Sequence, residues 1–305
     1  MKKTIIMLVL LIILGFLGYK LYSIYQTLPI NPKELIIENA SNGYDTGNVI
    51  ADQFASNMRF NHNSITYFIA SDCDGIKRDK MLEAFSILEE ETEIISFFED
   101  GEDADIIIAC SDIEIQKDEN LFIAGEGGPS KYINNTIYPL ILKGRIFLYR
   151  SGDCIAPLVE MHELLHVFGF DHSEDKTDIM YPNSDCSQAL KQKYIQSLKE
   201  LYSIPAKADL YFKDSNNLVK AGSYLNFEVT VVNQGIIDAK TVSLTAYADN
   251  KQLESFDLKD IKVGEGQKFS VQNLKLPSPN SKGIELRISS PTQEYDLGNN
   301  ILRAA

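Results

Sequence analysis

His162-Glu163-Leu164-Leu165-His166-Val167-Phe168-Gly169-Phe170-Asp171-His172 holds three of the four histidines of this 305-residue chain. Residues four apart on a helix share a face, so His162 and His166 can present two imidazoles to one metal ion. At Gly169 the missing Cβ lets the chain turn sharply and bring His172 back to the same point. Three neutral nitrogens with one tetrahedral position left open describe a catalytic zinc site, whereas a structural site is closed by a fourth ligand. Glu163 directly follows the first ligand and stands outside the ligand set, which suits a general base in metal-assisted peptide hydrolysis. A lone histidine is ordinarily a satisfied core or surface residue, but three at this spacing beside a carboxylate are not explained that way. His62, the fourth, lies outside the pattern and receives no role.

A second signature follows at Asp178-Ile179-Met180-Tyr181-Pro182. The two segments resemble the HExxHxxGxxH motif and Met-turn of the metzincin metallopeptidases. Ser173 follows the third histidine, and Met180 lies eight residues beyond His172 in a Met-Tyr-Pro setting, which resembles the matrixin branch. The resemblance implies an α+β zincin-like domain with a mixed sheet and an active-site helix, zinc as cofactor, and a peptide or protein substrate. It also implies that Met180 packs beneath the metal and that Pro182 walls the S1′ pocket. Upstream, residues 104–109 and 121–129 resemble the matrixin sheet and its substrate-binding edge. Substrate is then expected to add as a strand along residues 121–125, with Leu121, Ala124 and Gly125 as binding residues. Leu165 stands where matrixins usually carry glycine, and neither a Cys-switch propeptide motif nor a calcium loop is present. Tyr181 directly follows Met180, one place short of the astacin ligand tyrosine, and is not expected to bind zinc.

Apolar residues at 44% and charged residues at 24% are ordinary globular composition, and the length predicts two folded units. A net charge of −14 excludes a nucleic-acid partner, because that affinity comes largely from Lys and Arg neutralising phosphates. Lys2 and Lys3 precede an apolar run at 4–19 that continues past Lys20 through Leu21, Tyr22, Ile24 and Tyr25. This predicts a transmembrane anchor over residues 1–25, with a cleaved signal peptide as the alternative. The absence of a small-residue cleavage site favours the anchor, and the positive-inside rule puts the rest of the chain outside the cytoplasm. Export makes Cys73, Cys110, Cys154 and Cys186 candidates for two disulfides. If the strands before Cys73 and ending at Cys110 are parallel neighbours, those two cysteines meet. Cys154 at the start of the zinc helix then pairs with Cys186, which follows the Met-turn.

Residues 26–60 are polar and Asn-rich and read as a stalk. Periodicity predicts strands at 65–70, 104–109, 121–124 and 145–149 and helices at 76–98, 154–168 and 187–202, giving a peptidase domain over 61–204. Beyond Pro205 the helical period disappears. Alternating stretches at 208–212, 224–232, 242–248, 267–271 and 284–289 predict an all-β, Ig-like sandwich over 205–305. Ala208-Asp209-Leu210, Val232-Asn233-Gln234-Gly235, Gly264-Glu265-Gly266 and Asp296-Leu297-Gly298-Asn299-Asn300 resemble CARDB-type adhesion domains. That resemblance implies either a spacer or a module with a cell-surface ligand. The reading is a membrane-anchored zinc metalloendopeptidase outside the cytoplasm. The alternative is a surface adhesion or scaffold protein with a structural zinc site, and the intact Glu163 favours the enzyme. Every expected catalytic residue lies before the sandwich, so residues 60–204 alone are expected to hydrolyse a small peptide.

Overall fold

The computed structural model describes residues 53–304 apart from 114, 119, 120 and 150–153. The expected anchor at 1–25 and residues 26–52 of the stalk expected over 26–60 lie outside the described residues, among which no helix is long and apolar enough to cross a membrane. Met58 and Phe60, at the stalk's expected end, are instead fully buried in the core.

The first strand, β1 (Ser64–Ile69), buries Ile65, Tyr67 and Ile69, the period-two signature of a sheet face. Helix α1 (Gly75–Thr92) begins where the Asp74 carboxylate accepts the Lys77 amide at 2.9 Å. It ends at Glu93, whose φ of 55° is left-handed. The helix expected to run to residue 98 therefore stops short, and Ser96–Glu99 is strand β2, parallel to β1. Short apolar runs carry no period that separates helix from strand, and here pairing with β1 decided the outcome.

Then come β3 (Ile106–Cys110), β4 (Ile115–Asp118), β5 (Leu121–Ile123), β6 (Gly125–Ile133), β7 (Leu140–Leu148), α2 (Leu158–Val167) and α3 (Gln192–Ser203). The main sheet has the order β2-β1-β3-β7-β6 and is parallel except for β6, which runs antiparallel to β7 at one edge. It is thus the expected mixed sheet. Strands β4 and β5 form a separate antiparallel hairpin. Phe85 of α1 stacks on Tyr67 and Phe97 at 4.5 Å each, joining helix to sheet. Disulfides link Cys73 to Cys110 and Cys154 to Cys186, with Cα separations of 4.8 and 5.3 Å, in the expected pairing. The first follows from β1 and β3 being parallel neighbours, which brings their C-terminal ends together.

The second part is all β: β8 (Leu210–Ala221), β9 (Tyr224–Asn233), β10 (Ala239–Ala248), β11 (Lys251–Ile261), β12 (Gly266–Lys275), β13 (Glu285–Ser289) and β14 (Ile301–Arg303). Two sheets, β12-β9-β8 and β11-β10-β13-β14, enclose a core that includes Phe227, Val229, Leu244 and Leu286.

One fully buried sandwich residue leaves that core for the peptidase side, where the partly buried Val263 and Tyr295 also pack. Ile236, between β9 and β10, is fully buried in the peptidase-side core. Around it the Asn61 amide donates to the Ile236 carbonyl at 3.1 Å, and the Ile137 N–H to the Gln234 carbonyl at 2.8 Å. Asn135 donates to the Gly264 carbonyl at 2.9 Å, and the Tyr138 and Tyr295 rings lie 5.5 Å apart. Arg59, 1% exposed, donates to the carbonyls of Phe60, Leu201 and Ile204, which fastens the chain entering the domain to the end of α3.

Candidate metal centre

Helix α2 lies against β6, β7 and α1, and His162 and Glu163 are buried on it. It stops where the Phe168 and Gly169 amides donate back to Leu164 and His166. Gly169 has φ +89°, a conformation that strains any side chain, and a Cβ there would sit 3.1 Å from Met58 Sδ. The chain thereby reverses and returns His172 to the helix.

The three imidazoles converge. His166 Nε2 lies 3.0 Å from His162 Nε2 and 3.2 Å from His172 Nε2. His162 Nδ1 is 2.6 Å from the Ile179 carbonyl and His166 Nδ1 is 2.7 Å from that of Phe170. A carbonyl only accepts, so both Nδ1 atoms carry the proton and both Nε2 atoms present bare lone pairs. Two lone pairs at this distance repel unless a cation lies between them. Nitrogens bound to one tetrahedral zinc at about 2.1 Å stand about 3.4 Å apart, so the donor set fits that ion. Burial pulls His162 down to about 4 and His166 to about 3, which keeps both neutral, the form that ligates. His172 is exposed and completes the group able to converge on a metal among the described residues.

Glu163 projects between α2 and β6. Burial pushes its carboxyl up to about 8, neighbouring Glu126 adds to the push, and a hydrogen bond from the Gly127 amide opposes it. Gly125 is needed for this approach, because a Cβ there would lie 2.8 Å from Glu163 Cγ, and one at Gly127 would collide with the Glu163 main chain. Met180 is fully buried, and its neighbour Ile179 supplies the carbonyl that meets His162. Pro182 is exposed just beyond.

The expected substrate edge is divided. Leu121 lies in the β4–β5 hairpin, Ala124 links β5 to β6 while its carbonyl accepts the Tyr149 amide at 2.9 Å, and Gly125 opens β6 beside Glu163. Strand β6 is one of the two edge strands of the main sheet, and it lies where periodicity predicts no strand between 124 and 145. Gly127, Asp178 and Gln53 were also missed. The alternation of Gly125 with Gly127 was the available signal for the first, and nothing local marked Gln53.

Residues 59–203 match the matrixin family model. The matrixin match spans the main sheet, the histidine turn and the Met-turn, and so supports a metallopeptidase. Residues 207–302 match the CARDB family model. The chain is similar to the CARDB domain of a Pyrococcus furiosus protein crystallised with di-metal ions, at 16% identity over 32% of this chain and 84% of that one, with a TM-score of 0.26. It is also similar to a domain of a proposed cell surface protein from Methanosarcina acetivorans, at 14% identity over 32% of this chain and 89% of that one, with a TM-score of 0.26. No curated protein matches the chain.

Proposed function

We propose that the chain is a zinc-dependent metalloendopeptidase, tethered by its N-terminal segment outside the cytoplasm. The observation that carries this is the pair of bare Nε2 lone pairs 3.0 Å apart, with His172 Nε2 3.2 Å from one of them and a buried carboxylate next in sequence to His162. His162, His166 and His172 would hold zinc, which supplies Lewis acidity toward water and a peptide carbonyl. Glu163 accepts the proton of the attacking water and passes it to the leaving amine. The burial that raises its proton affinity makes it a strong base, and a dication nearby would draw it back toward the carboxylate form.

The outer edge of β6 offers main-chain groups to an extended peptide, which would lie along Gly125 with Ala124 and Leu121 toward one end. Met180 supports the histidines from below, and Pro182 walls the pocket for the residue after the scissile bond. The sandwich would serve as a spacer or bind a cell-surface ligand. A purely structural zinc site in a scaffold protein fits less well, because the converging group has three ligands among the described residues and a closed site needs four.

Glu163→Gln tests the mechanism. The variant should bind one zinc per chain yet lose at least about a hundredfold in turnover of an unfolded protein substrate. Turnover near that of the unaltered chain would refute Glu163 as the base, and a zinc-loaded chain that cuts no peptide would refute the enzyme.

A further inference from the structure

The carbonyls that aim His162 and His166 are themselves held by side chains remote from the metal position. Ile179, which meets His162, follows Asp178, a residue only 1% exposed. One Asp178 oxygen accepts the Met180 amide at 3.0 Å. The other accepts the Tyr194 hydroxyl at 3.0 Å and faces the Lys193 ammonium at 2.8 Å. Asp178 thus binds the Met-turn both to itself and to α3.

Phe170, which meets His166, is paired with Gln53 in an isolated antiparallel bridge, and the Phe54 amide donates to Gly169 at 3.0 Å. The Gln53 side-chain amide donates to the Phe168 carbonyl at 2.8 Å and to Met58 at 3.0 Å, while its oxygen accepts the Met58 amide at 3.2 Å. One side chain therefore closes the 53–58 turn and clips it to the turn between the second and third histidines.

We propose that Asp178 and Gln53 are positioning residues of the metal centre: they fix the Ile179 and Phe170 carbonyls, which decide which imidazole nitrogen is bare and where it points. The proposal rests on the reading of the three histidines as a metal site. Gln53 lies ahead of the segment that matches the matrixin model, so this half of the support is particular to the chain's own lead-in.

The test is zinc affinity of the full chain, by competition with a chromophoric chelator, together with the visible absorption of the cobalt(II)-substituted protein. Asp178→Ala and Gln53→Ala should each weaken zinc by about tenfold or more and shift the cobalt bands, with one metal still bound at saturation. Gentler changes cover the case in which either variant fails to fold. Tyr194→Phe removes one hydroxyl but keeps the ring against Phe170 at 5.1 Å, and Gln53→Glu keeps the acceptor while losing both donors. Both should weaken zinc by a smaller factor in the same direction. Affinities within twofold of the unaltered chain and unchanged cobalt spectra, in folded variants at both positions, would overturn the proposal. Failure of the unaltered chain to bind zinc would overturn the metal-site reading itself, which separates the two.

Discussion

Ile236→Ala separates a sandwich that is merely attached from one that completes the peptidase. The Ile236 side chain is fully buried among peptidase residues, and its loop's carbonyls accept two hydrogen bonds, Ile236 from the Asn61 side-chain amide and Gln234 from the Ile137 N–H, which hold the loop whatever side chain residue 236 bears. Truncation to alanine removes three carbons at about 0.8 kcal/mol each and leaves a cavity that the fastened loop cannot fill, so about 3 kcal/mol is expected within the usual 2–5. For about 250 folded residues each kcal/mol corresponds to roughly 2–4 °C, giving a fall of about 6–12 °C. The assay is thermal release of zinc to a chelating dye, recorded with unfolding by circular dichroism. Val229→Ala, in the sandwich core, is the control. An Ile236→Ala chain that releases zinc at the unaltered temperature would refute the assignment of this loop to the peptidase core. The same logic argues against a self-sufficient 60–204 fragment, which lacks Ile236, the Gln53 clip and Arg59 together.

The bridges close loops of similar length, with separations of 37 and 32 residues, so loop entropy alone gives each about 3–4 kcal/mol. Replacing Cys154 and Cys186 by serine should nevertheless speed zinc loss to chelator more than replacing Cys73 and Cys110, since only the former pair joins the zinc helix to the Met-turn region; equal rates would refute this. Asp105 is half-buried, which alone would raise its pKa, but hydrogen bonds from His62 and from the Thr66 amide and hydroxyl hold it at about 2. A depressed carboxyl stabilises the fold above its unfolded value of about 3.9 and loses that contribution as pH falls toward 2. Asp105→Asn should therefore cost about 1–2 kcal/mol at pH 7, after allowance for solvent screening, and little near pH 2; a cost unchanged between pH 5 and pH 2 in denaturant titrations would contradict the pairing.

The metal centre was legible because its ligands are local: a helical spacing, a glycine and one return of the chain bring His162, His166 and His172 together. The disulfide pairing was legible for a related reason, since parallel strands of known order put their ends side by side. What escaped notice depends on partners distant in sequence. Phe97 and Phe98 suit a helix face until β1 is beside them. Gly125-Glu126-Gly127-Gly128-Pro129 has no side-chain alternation to announce a strand, because the room left at Gly125 and Gly127 is taken by Glu163. Ile236 reads as one more apolar residue of the sandwich, and only the fold shows it across the domain boundary.

The clasp on the β6–β7 turn bears on how such a chain can be altered by recombination. Strand β6 starts at Gly125 beside Glu163 and ends at Ile133, where Gly264 of the sandwich, with φ +70°, comes so near that a Cβ would lie 2.8 Å from Ile133 Cγ2 and Asn135 Oδ1. Nine residues of extended chain, about 30 Å, thus run from the reacting centre to a loop of the neighbouring module. Another sandwich grafted in the same place would hold the turn only if its loops reached it as Gly264, the Gln234 carbonyl and the Ile236 side chain do here. Loops that fell short would leave the far end of the strand beside Glu163 unheld, so a graft has to carry these loops along with the strand order.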